Sequence, residues 1–138
     1  MDAEARLDAW AATDGSGWRP TGLTAALRDD LRDLDLPPVT GRGRAIADRS
    51  AALGVGYVLE GSAFGARILA QRAASLGFDA AHGARHLHRQ SASLDNWRAF
   101  LAELESCEPF DMDAAAEAAN ATFREAQAAF DEVAPAHD

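Results

Sequence analysis

The residues best placed to do chemistry lie in the stretch from Leu53 to Leu69, which holds Gly54, Gly56, Gly61 and Gly65 together with Tyr57, Ser62 and Phe64. Gly61 and Gly65 are one helical turn apart, so on a helix their missing Cβ atoms leave a trough of bare backbone on one face. A neighbouring helix in small-xxx-small packing fits such a trough, a flat ligand fits it too, and the glycines also permit a bend. From spacing alone, helix packing is the favoured reading. Ser62, between the two glycines, carries a hydroxyl that can hold a water or pass a proton.

Other polar residues read as ordinary surface or core. His82 and His86 have i,i+4 spacing and would share a helical face, while His88 would point elsewhere and His137 lies near the end. No Cys or carboxylate stands at a complementary spacing, so solvated histidines are expected rather than metal ligands. Glu103 and Glu105 read as the wet face of a helix. Cys107 has no adjacent cation, and a packed thiol is expected.

Five helices would position these groups. Residues 2–12 carry Leu7 and Trp10 and end before the loop-forming run Thr13 to Gly17. Leu23, Leu27, Leu31 and Leu34 form one stripe of a second helix, with Arg28, Asp29, Asp30 and Arg32 toward water, stopped by Pro37 and Pro38. From Arg44 to Leu76 the pattern predicts one long helix closed by Gly77, although each interior glycine costs about 0.5–1 kcal/mol relative to alanine. Leu94, Trp97, Leu101 and Leu104 line the next helix, capped by Ser91 or Ser93 and ended by Pro109. Asp111 or Asp113 opens the last, with Ala119, Phe123, Phe130 and Val133 as its buried stripe and Pro135 beyond. Residues 79–90 fit a short helix or an irregular connection.

At 138 residues the chain fits one domain, 1–138, and its 48% hydrophobic and 25% charged content is that of a globular protein, not of a disordered or collagen-like one. Thirteen basic residues, all arginine, oppose 22 acidic ones. The resulting net charge of -9 repels phosphate backbones and anionic lipid, so no nucleic-acid or membrane partner is expected. No apolar run reaches the ~18 residues of a membrane span. The acidic start leads into no signal-like apolar region, and one cysteine cannot form an internal disulfide, so a reducing cytoplasm is expected. The abundance of alanine favours an all-α fold.

The run Tyr-Val-Leu-Glu-Gly-Ser-Ala-Phe-Gly-Ala-Arg-Ile-Leu from Tyr57 to Leu69 resembles the distal helix of the bacterial biliverdin-producing heme oxygenases, including those associated with bacteriophytochromes. Similar pieces follow in the family's order: the Trp18 region and Leu27 to Leu31 before it, Trp97 to Leu101 and Ala121 to Phe123 after it. The resemblance implies an all-α, heme-oxygenase-like domain that holds haem against the glycine-rich helix and opens it oxidatively to biliverdin, carbon monoxide and iron. It further implies that Gly61 and Gly65 let backbone approach the haem face and that Ser62 holds a proton-delivering water. Tyr57 and Phe64 are expected first as core and packing residues, with contact to a haem propionate and stacking on haem as their respective alternatives. An electron-donor protein is the implied partner.

Family members begin with helices bearing a Leu-Arg-x-Ala-Thr-x-x-x-His motif whose histidine ligates the iron, and nothing like it precedes Asp2. An N-terminally shortened domain is therefore expected, with weak haem binding and no histidine-type ligation in this stretch. The alternative is a non-catalytic helical binding or dimerisation module on the same fold. Helices left uncovered by the missing segment would expose apolar surface, and a homodimer is expected.

Overall fold

A computed structural model of the chain describes residues 3–7, 18–38 and 46–133. Residues 3–7 are helical, and six helices follow: α1 Thr24–Asp33, α2 Arg49–Gly61, α3 Ala63–Ser75, α4 Arg85–Ser91, α5 Leu94–Ser106 and α6 Met112–Val133. Among the described residues there is no strand, only isolated bridges from Asp79 to His82 and Gly83, so the fold is all-α. Trp10, the run from Thr13 to Gly17, Pro135 and His137 lie outside the described residues, as does the side chain of Val133.

The long helix expected from Arg44 to Leu76 is two helices. Asp48 opens α2 late, its carboxylate accepting from Ala51 N–H at 2.8 Å. A one-residue break at Ser62 separates α2 from α3. The serine hydroxyl donates back to the carbonyls of Val58 at 2.6 Å and Leu59 at 3.0 Å, the kind of back-bond that bends helices. At the far end Gly77, at φ 89°, ends α3 as expected: its N–H donates to Ala74 and that of Phe78 to Ala73, the paired bonds of a Schellman motif.

The core gathers Leu7, Trp18, Ala52, Leu53, Val55, Phe100 and Cys107. The Trp18 and Phe100 rings meet edge-on at 5.0 Å. Their contact sits over Gly56, where a Cβ would lie 2.6 Å from Trp18 and 3.0 Å from Phe100. The most extensive helix pairing is α2 with α6, and at Gly54 a Cβ would collide with the Ala115 carbonyl. Small-residue helix packing is therefore real, but Gly54 makes it, with Gly56 admitting two rings beside it, and Gly61 and Gly65 take no part.

Two expected stripes are turned, that of α6 because of this close approach. Only small residues fit against Gly54, so α6 buries Ala115 and Thr122 and leaves Phe123 and Phe130 exposed, against expectation. In α5 the inward residue is Phe100, flanked by Trp97 and Leu104, while Leu94 and Leu101 face out. Ser93 precedes α5 without capping it, its hydroxyl donating instead to Gln90 at 2.6 Å. Asp111 does cap α6, accepting from Ala114 N–H at 3.1 Å.

Buried carboxylates from distant segments hold two helix starts. Leu23, before α1, has no capping side chain, and Glu4 accepts instead from Leu23 N–H, Thr24 N–H and the Thr24 hydroxyl at 2.9–3.1 Å. Asp30, expected on the wet face of α1, is buried because it does the same for α4. It accepts from Arg85 N–H at 2.9 Å, His86 N–H at 3.0 Å and His86 Nδ1 at 2.6 Å.

Candidate functional site

The break at Ser62 lies on a largely open surface. A Cβ at Gly65 would meet nothing within 4 Å, and one at Gly61 only the Trp97 ring at 3.9 Å. Helix packing, favoured by spacing alone, is not what the two glycines serve here. Tyr57, Gly61 and Gly65 follow one another at four-residue intervals, and the exposed rings of Tyr57 and Phe64 flank the bare backbone. Trp97 of α5 joins them, edge-on to Phe64 at 5.5 Å, tilted to Tyr57 at 6.2 Å and stacked on Phe100 at 5.5 Å.

Tyr57 also lines an apolar groove of about 660 Å³ between α2, the end of α5 and α6, with Gly54, Leu104, Phe110, Met112 and Phe123 among its walls. Its volume is that of a small-molecule site. The groove takes in Tyr57 but not Gly61, Ser62, Phe64 or Gly65, so the expected site residues divide into a glycine face and a groove, joined at Tyr57. Bare backbone, exposed aromatic rings and an apolar trough together suit a broad, flat, largely apolar ligand. The Ser62 hydroxyl proton is committed to Val58, which leaves its oxygen lone pairs free to accept from a water.

The histidines belong elsewhere. His86 is held by Asp30 and half-buried, not solvated as expected; the buried acceptor fixes its Nδ1 as the donor. His82 lies 3.7 Å from Asp33 and stacks on Phe78. His88 Nε2 is buried with no hydrogen-bond partner among the described residues. None of the three lines the groove, and among the described residues no cluster of His, Cys, Asp and Glu could hold a metal ion. Beside His82, the Arg85 guanidinium and the Gly83 N–H hold the Asp33 carboxyl below its ordinary range, and Arg85 is pushed up in return.

Glu103, expected in water, is half-buried and pairs with Arg49 at 2.5 Å, while Glu105 is exposed. Cys107 is buried in the core, as its lack of a nearby cation predicts. Sequence reading missed Trp97 as part of the site because it looked like one more core position of α5. It also missed Gly54 and Phe123 in the groove; the small-residue run of α6 opposite a glycine-bearing α2 was the available signal. No described helix is long and apolar enough to cross a membrane.

No family model matches the chain. It is 33% identical over 103 residues to a heme oxygenase of Xanthomonas campestris pv. campestris, a match covering 74% of this chain and 62% of that protein. It is 36% identical over 96 residues to heme oxygenase PigA of Pseudomonas aeruginosa, covering 63% and 48%. The fold is similar to the NO- and CO-bound heme oxygenase of Neisseria meningitidis, with a TM-score of 0.63 and 28% identity over 81% of this chain and 60% of the other. The chain thus spans about half to three fifths of the length of these relatives. Sequence and fold agree, and the chain belongs to the heme oxygenase family.

Proposed function

We propose that this chain binds haem across the glycine face and takes part in its oxidative opening to biliverdin, carbon monoxide and iron. The observation that carries this reading is the uncovered backbone at Gly61 and Gly65, flanked by Tyr57 and Phe64 beside an apolar groove. Haem, when bound, supplies the iron and the porphyrin on which the oxidation runs. The protein's part is placement: bare backbone admits the flat ring, aromatic walls exclude water, and Tyr57 offers a hydroxyl at the polar edge. Ser62 holds a water through its lone pairs and so passes protons into the site. Electrons come from a separate donor protein, and the lone buried thiol suits a reducing cytoplasm.

Gly65→Leu tests the reading with little structural ambiguity, because its side chain enters open space. Haem titration followed by absorption should show at least a tenfold weaker complex, about 1.4 kcal/mol, with thermal stability that holds or rises. Ser62→Ala should bind normally and slow proton-dependent turnover. Equal haem affinity in wild type and Gly65→Leu sinks the assignment.

The same exposed surface supports a homodimer in the absence of ligand. Tyr57, Phe64, Ile68 and Phe123 are each more than half exposed, and burying them against a second copy gives about 25 cal/mol per Å². Light scattering at micromolar concentration should give twice 14.6 kDa, falling toward one chain as haem is added. A monomer throughout rejects the dimer.

A further inference from the structure

Glu60 immediately precedes the glycine face, yet its side chain turns inward and is only 2% exposed, among the largest fully buried side chains of the molecule. Burying a carboxylate is costly without compensating partners, and no described cation pairs with this one. Among the described residues its hydrogen-bond partner is Thr21, which gives both of its donors: the N–H to Oε1 at 2.7 Å and the hydroxyl to Oε2 at 3.0 Å. The Thr21 hydroxyl in turn accepts from Asn96 Nδ2 of α5 at 3.0 Å, and the same amide donates to the Arg19 carbonyl at 2.9 Å. Next in sequence to Asn96 is Trp97, whose ring returns to Tyr57, Gly61 and Phe64. The connections therefore close into a circuit, from the last turn of α2 through the 19–21 segment to α5 and back through the indole.

A circuit of this kind answers a mechanical need. The helical ladder is interrupted at Ser62, and α2 and α3 barely touch, so the intrahelical bonds do not fix how the glycine face stands against α5. We propose that Glu60 is a positioning residue, its buried carboxylate clamped by Thr21 and, through Thr21, by Asn96, so that Gly61 and Tyr57 are held at a set distance from Trp97. The inference rests on the haem reading above: the face being positioned is the one that receives the ring.

Thr21→Val is the sharpest test, since it keeps the shape and the backbone N–H while removing the hydroxyl that joins Glu60 to Asn96. Haem titration should show about tenfold weaker binding, and the infrared stretch of carbon monoxide on the reduced haem should shift or broaden, because it reports the surroundings of the bound ring. Thr21→Ser, which restores the hydroxyl, should return both toward wild type. A purely structural role would lower the melting temperature but leave the carbon monoxide band of the folded protein in place, and that result overturns the proposal. So does a Thr21→Ser variant no closer to wild type than Thr21→Val. Should Thr21→Val not fold, Glu60→Gln, which keeps shape and one acceptor, is read by the same two measurements with the same outcomes. A wild-type chain that takes up no haem rejects the haem reading and this inference with it. A wild type that binds, with variants identical to it, rejects the clamp alone.

Discussion

Replacing Gly54 by alanine should cost the protein about 3 kcal/mol, although alanine is the better helix former. On an open helix surface the exchange would stabilise by about 0.5–1 kcal/mol. At Gly54 the new Cβ collides with the carbonyl of Ala115, which is backbone and cannot rotate away. The only relief is for α2 and α6 to move apart, and theirs is the most extensive helix pairing in the molecule. Separation would loosen the contacts of Ala115, Ala118 and Thr122 together, which puts the cost at the upper end of overpacking effects. A domain of this size has only about 5–15 kcal/mol in all, so the melting temperature should fall by roughly 10 °C. Gly65→Ala is the matched control: its Cβ meets nothing, and its melting temperature should hold or rise. If both variants melt like wild type, the helices do not approach as closely as described.

Asp30→Ala should be nearly as damaging, by about 3 kcal/mol, for a different reason. The carboxylate satisfies two backbone N–H groups at the start of α4 and the imidazole of His86, and it does so from a buried position. Unpaired buried donors cost about 1–3 kcal/mol each, and a lost helix cap about 0.5–2 kcal/mol. Asp30→Asn keeps one acceptor oxygen and should retain roughly half the loss. Denaturant unfolding measures the total, while hydrogen exchange at the amides of Arg85 and His86 locates it. Exchange there should accelerate in Asp30→Ala well before the core opens. Unchanged protection at both amides would mean that α4 does not depend on this carboxylate.

Local chemistry written in adjacent residues was legible without the fold. The helices at 24–33, 94–106 and 112–133, the stop at Gly77, the cap at Asp111 and the all-α class follow from spacing, capping residues and alanine content, because these act within one or two turns. The Leu53 to Leu69 stretch also stood out, since glycines one turn apart make an unusual surface wherever the helix lies, but spacing alone favoured helix packing there over a ligand.

What each face meets was not legible, because it depends on partners far along the chain. The four glycines look alike in sequence, yet Gly54 and Gly56 face a helix backbone and two rings, Gly61 meets only the edge of Trp97 and Gly65 faces open space. Phe123 and Phe130 looked like core and are exposed, because α6 must present small residues to Gly54. Asp30 looked like a surface charge, yet it and Glu60 are both buried, because the donors that compensate them come from segments 39 to 56 residues away. A charged side chain is driven to water only when no donors await it inside, and whether they do is decided by the packing of distant helices.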